Sequence, residues 1–65
     1  MATGIVKFFN ESKGRGAIIA DHGGPDLPFD RSRIMGPMTV SGGQRVEFEE
    51  IQGPRGKEAT TIRPL

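Results

Sequence analysis

The chain contains no cysteine, which excludes disulfides and cysteine-ligated zinc or iron–sulfur centres and fits a reducing cytoplasm. It has no long apolar run. The longest, Ala17 to Ala20, is far short of a signal-peptide core or a membrane span, so a soluble cytoplasmic protein without a membrane partner is expected. It has little net charge: nine Lys and Arg against eight Asp and Glu leave +1, which argues against wholesale electrostatic capture of duplex nucleic acid. Apolar residues make up only 34% and the aromatics are four phenylalanines. In 65 residues that composition allows one small domain, residues 1–65, with a modest core and marginal stability.

Catalytic groups are missing as well. His22 is the only histidine; it sits in the polar turn "DHGG" with no second metal ligand and no nucleophile beside it, and reads as a solvated turn residue. Asp21, Asp26 and Asp30 lack the spacing and the bidentate glutamate of a calcium loop. "GRG" is followed by no helix and has no P-loop spacing, so it reads as a bend rather than a phosphate cradle. No enzyme activity, no cofactor and no metal site are expected.

What is present is a succession of short β-type segments separated by glycine-rich turns. "TGIVKFFN", residues 3–10, is β-branched and aromatic and ends in the turn-forming "NESKG". "RGAIIA", residues 15–20, places Gly16, Ile18 and Ala20 on one face and Arg15, Ala17 and Ile19 on the other. In "DLPF", Leu27 and Phe29 share a face opposite Pro28 and Asp30; Pro28 cannot donate to a ladder, so this third strand is an edge or turns its missing N–H toward solvent. Residues 31–43 read as a long connection with a helical turn around "RSRIM". "QRVEFEEI" alternates, with Val46 and Phe48 inward, until Glu50 falls on the apolar face; either the strand leaves the core there or a bulge shifts its register. After the turn "QGPRG", "KEATTIRPL" forms a fifth strand with Ala59 and Ile62 as core candidates, and their unlike parity predicts a kink between them. Five short strands, tight turns and no helix of ordinary length predict an all-β fold, a five-stranded antiparallel barrel that hides its edges.

"KGRGAI", Lys13 to Ile18, keeps the lysine, the two glycines and the apolar strand of a ribonucleoprotein-type signature but puts Arg15 and Ala17 where rings belong. Together with "GIVKFFN", "DLPFD", "SGGQRVEFE" and "GPRGKEATTI", in that order and spacing, it makes the chain resemble the bacterial cold-shock proteins over nearly its whole length. The resemblance implies an OB-fold barrel and binding of single-stranded RNA or DNA with little sequence preference, by stacking bases on outward rings beside a few cations. Carried over by position, the family's tryptophan corresponds to Phe8 and its next residue to Phe9. The two second-strand rings correspond to Arg15 and Ala17, the third-strand ring to Pro28, its histidine to Asp30 and the following aromatic to Arg31. A further loop aromatic has no counterpart in "GPMTV".

The expected nucleic-acid-binding residues are therefore Phe8 and Phe9 for stacking, and Lys7, Lys13, Arg15 and Arg55 for phosphate or backbone contact, in a monomer. The alternative reading is a barrel diverted to protein interaction through an outward apolar strip of Ala17, Ile19 and Pro28.

Overall fold

The structure, a computed structural model, describes residues 1–36 and 39–65. It is all-β: β1 (Ala2–Asn10), β2 (Arg15–Ala20), β3 (Leu27–Asp30), β4 (Arg45–Gly53) and β5 (Gly56–Pro64), with a single 3-10 turn, Arg31–Arg33, after β3. The strands form one antiparallel sheet in the order β3-β2-β1-β4-β5. Pro28 accordingly lies on a strand at one end of the sheet, where its missing N–H leaves no ladder position empty. Among the described residues no helix is long and apolar enough to cross a membrane.

The inward residues follow from alternation. Val6, Ile18, Ala20, Leu27, Phe29, Val46, Phe48, Ala59 and Ile62 pack into one core, to which Ile34 and Val40 are added from the connection between β3 and β4. Two bulges adjust the parity. On β5, Glu49 pairs with Thr60 but Glu47 with Arg63, so two residues, Thr61 and Ile62, oppose Phe48 alone. Thr61 takes the left-handed φ of 53° that such an insertion needs, and this is the kink that lets Ala59 and Ile62 both face the core. Glu50 stays on the inner side at the end of β4, opposite Ala59, and its carboxylate meets His22 Nε2 at 2.7 Å. The expectation of a merely solvated His22 is thus corrected: the ring is exposed but has a partner.

The two ends of the sheet approach one another through β5 and the residues after the 3-10 turn. Ile34 and Ile62 form a parallel bridge, and the Met35 N–H donates to the Ile62 carbonyl at 2.8 Å.

Candidate nucleic-acid interface

The second bulge creates the site. Val6 pairs with Ile18 and Phe8 with Ala17, so Lys7 is an extra residue in β1. Plain alternation from the buried Val6 would send Phe8 into the core. Inserting one residue reverses the parity, so Phe8 points outward, 50% exposed, while Phe9 turns inward. The insertion is held by the loop before β4: the Val6 N–H donates to the Gln44 carbonyl at 2.9 Å and the Gly43 N–H to the Val6 carbonyl at 2.7 Å.

Directly paired residues of antiparallel strands share a face. The outer face of β1–β3 therefore carries the rows Ile5–Ile19, Phe8–Ala17–Pro28 and Asn10–Arg15–Asp30. The alternative reading's apolar strip needs a correction here. Ile19 is 45% exposed, but Ala17 is only 7% exposed, because its short side chain lies between Phe8 and Pro28 in register. Pro28 is exposed.

Phe9 is separated from Phe8 by the sheet. It is half-buried and stacks on Phe29, with ring centroids 5.8 Å apart and planes within 5° of parallel. Gly16 makes this stack possible: a Cβ there would stand 2.5 Å from the Phe8 carbonyl oxygen and 2.7 Å from Phe29 Cζ. The Arg31 guanidinium lies 6.0 Å from the Phe9 ring centroid and donates to the Glu11 carbonyl. Where the resemblance places an aromatic, Arg31 therefore clamps the β1–β2 turn against the 3-10 turn.

The cations are less uniform than the sequence suggests. Lys7 Nζ is 2.8 Å from Asp26 Oδ2, so part of its charge is neutralised. Lys13 is exposed in the β1–β2 turn, whose backbone is organised by Asn10 Oδ1 accepting from the Ser12 and Lys13 N–H groups at 3.0 and 3.3 Å. Arg15 is exposed beside Asp30 and shares an open groove of about 360 Å³ with Pro54 and Arg55 from the β4–β5 turn and with Glu58. The structure thus brings Arg15 and Arg55 together, near Phe8's row, and adds two carboxylates. Glu58 went unread in the sequence; its outward parity on β5 was the available signal. The loop position where the resemblance lacks a ring falls in residues 36–40, of which Pro37 and Met38 lie outside the described residues.

At the other end of the outer face, Arg45 donates to both carboxylate oxygens of Asp21, at 3.1 and 2.8 Å, and the Thr3 hydroxyl donates to Oδ2 at 2.7 Å. The Arg45 hydrogen bonds, then that of Thr3, hold the Asp21 carboxyl below its ordinary value.

Comparison with known proteins agrees with this architecture. A family profile described as "'Cold-shock' DNA-binding domain" matches residues 2–65. The chain is 46% identical, over 67 aligned positions, to a cold shock-like protein CspA of Stigmatella aurantiaca, covering all of this chain and 98% of that protein. It is 44% identical to a cold shock-like protein CspA of Shewanella violacea, over 97% of this chain and 93% of the relative. It is 42% identical to the cold shock-like protein CspD of Escherichia coli, over 100% and 90%. A match that takes in all five strands, and relatives that align from end to end, establish that the chain belongs to the cold-shock domain family.

Proposed function

We propose that this chain is a single cold-shock-like domain, residues 1–65, that binds single-stranded RNA or DNA weakly and with broad sequence tolerance. In this reading the sheet rolls up into an OB-type barrel, supported by the Ile34–Ile62 bridge between its two ends, and works as a cytoplasmic monomer. The observation that carries it is the outward Phe8 ring, half exposed beside Arg15 on the outer sheet face. Bases stack on Phe8, while Lys13, Arg15, Arg55 and the shared charge of Lys7 meet phosphates. Phe9 contributes from behind, by fixing the sheet that presents Phe8.

Weakness follows from the missing rings. A base–aromatic stack contributes about 1–3 kcal/mol. Replacing the rings at Arg15, Ala17 and Pro28 removes at least about 3 kcal/mol from the roughly 8 kcal/mol of a micromolar complex, a loss on the order of 100-fold. A labelled oligothymidine titrated at low salt is expected to saturate at high micromolar protein, and Phe8→Ala is expected to abolish the signal. Saturation that is indifferent to Phe8→Ala, or no saturation at all, overturns the proposal.

The second reading, a protein-interaction module, draws on the adjacent exposed Ile5 and Ile19, 37% and 45% exposed, with Pro28 nearby. It predicts a partner whose binding is lost in Ile19→Glu while oligonucleotide binding is nil.

A further inference from the structure

The groove between the β3 edge and the β4–β5 turn is unlike a phosphate channel. Its charged lining is two guanidiniums, Arg15 and Arg55, and two carboxylates, Asp30 and Glu58, and its apolar lining is Pro28, Phe29 and Pro54. Five pairs of opposite charge close elsewhere on the described surface: Lys7–Asp26, His22–Glu50, Arg45–Asp21, Lys57–Glu50 and Arg63–Glu47 lie between 2.7 and 3.9 Å. None of the four groove residues takes part in an ion pair among the described residues. They face a common space without filling it.

Two local features set the carboxylates. Asp30 Oδ2 accepts from the Ser32 hydroxyl at 3.1 Å, which leaves Oδ1 for another donor. Glu58 folds its carboxylate back over β4, into the space that a Cβ at Gly53 would take. The absence of a side chain at Gly53 leaves room for the Glu58 carboxylate there.

A guanidinium only donates and a carboxylate only accepts. A ligand that satisfies both must present a pair of acceptors on one edge and a pair of donors on another. Among the nucleobases this is guanine: O6 and N7 match the fork of an arginine, and the adjacent N1–H and N2–H match the two oxygens of a carboxylate. Cytosine offers one donor group beside an acceptor. Adenine sets its N6 donor between acceptors, and thymine and uracil set one N–H between two carbonyls; each leaves a carboxylate facing lone pairs.

We infer that this groove is a guanine-selective subsite: where the strand carries a guanine, Arg15 and Arg55 exchange phosphate for its O6/N7 edge, Asp30 and Glu58 accept from the N1–H/N2–H edge, and Pro28 and Pro54 border the base. The inference rests on the single-strand binding proposed above, and it assigns base selectivity to this groove. Phe8 and Pro28 occupy one cross-strand row through Ala17, about 10 Å apart at two interstrand spacings, so one strand engages the ring and the groove together.

The test uses labelled oligothymidine carrying one central guanine, hypoxanthine, adenine, cytosine or thymine, titrated by fluorescence anisotropy into the intact protein at low salt. The guanine strand is expected to bind about tenfold tighter than the all-thymine strand, as one good bidentate pair allows. Hypoxanthine, which lacks the N2 amino group, is expected to fall between them. In the double variant Asp30→Asn/Glu58→Gln, checked for native circular dichroism, the preference for guanine over thymine is expected to shrink to less than about twofold. Equal binding of guanine and thymine strands, or a preference that survives the double variant, overturns the subsite. If the all-thymine strand binds through Phe8 but guanine adds nothing, the subsite alone falls. If no strand binds, the function proposed above falls with it.

Discussion

Phe8 and Phe9 are neighbours in sequence with opposite tasks, and leucine at each position separates them. Phe9→Leu keeps an apolar side chain but removes the stack on Phe29 at 5.8 Å and the approach of Arg31 at 6.0 Å. An aromatic pair contributes about 0.5–1.5 kcal/mol beyond its buried area, and a cation over a ring at a wet site about 0.5–1 kcal/mol. The expected loss is therefore about 1–2.5 kcal/mol, a large share of the roughly 3–10 kcal/mol available to a domain of this size. At about 4–8 °C per kcal/mol, the melting midpoint falls by roughly 4–20 °C. Phe8→Leu exposes nothing new, since the ring is already 50% exposed; stability should stay within about 0.5 kcal/mol. It removes a stacking platform, so oligothymidine binding should weaken about 5- to 150-fold. Far-UV circular dichroism melts measure the first effect, and anisotropy titrations below the lower of the two midpoints measure the second. If Phe9→Leu, still folded, weakens binding as much as Phe8→Leu, or if Phe8→Leu lowers the midpoint as much as Phe9→Leu, then the bulge at Lys7 does not divide the two rings as described.

Three further outcomes are expected. Gly16→Ala should cost about 1–3 kcal/mol by overpacking against the Phe8 carbonyl and Phe29, read as a lower urea midpoint; an unchanged midpoint contradicts the close approach at Gly16. Because the Asp21 carboxyl titrates below its ordinary value of 3.8 in the folded state, its pairing stabilises the fold above that value and is lost as pH falls through the depressed one; Asp21→Asn should flatten the decline in stability between about pH 5 and pH 2, and an unaltered acid limb in urea titrations refutes this. Pro28→Phe restores a ring in the Phe8–Ala17–Pro28 row and should tighten oligothymidine binding at least about fivefold; no gain in anisotropy titrations means that strands do not run along that row.

Most of the fold was legible because inward and outward positions follow simple parity, and even one departure from it announced itself. Ala59 and Ile62 could not share a face on a regular strand, and the positive φ of Thr61 is how the chain resolves that conflict. The departure at Lys7 was silent. In "GIVKFF" the alternation from Val6 runs on smoothly to Phe8, and what interrupts it is non-local: the hydrogen bonds of Val6 to Gly43 and Gln44, more than thirty positions away. Only the resemblance to the cold-shock proteins pointed to Phe8 as the outward ring. Ala17 shows a different limit. Its face was read correctly, but exposure depends on the height of the neighbours, and a methyl group between Phe8 and Pro28 is overshadowed. The pairing of His22 with Glu50 likewise depends on where the turn after β2 meets β4.

The groove was the least legible part, because its charges come from three strands and a turn that meet only in the fold. Arg15 and Arg55 read as cations for a phosphate backbone, and Asp30 as the residue at the family's histidine position. Placed together with Glu58 they nearly cancel at long range, and Lys7 is offset by Asp26. A strand approaching this face meets little net field, so electrostatic attraction cannot supply most of its binding free energy. Counterion release gives a logarithmic salt slope of about −0.7 per single-strand phosphate contact, and with the basic groups so balanced the slope should stay near −1 to −2, shallower than a groove of four free cations would give. What remains to hold the strand is short-range: one ring for stacking, and paired donors and acceptors that only a base edge can satisfy. The same residues that weaken the hold on any phosphate backbone are those able to distinguish one base from another.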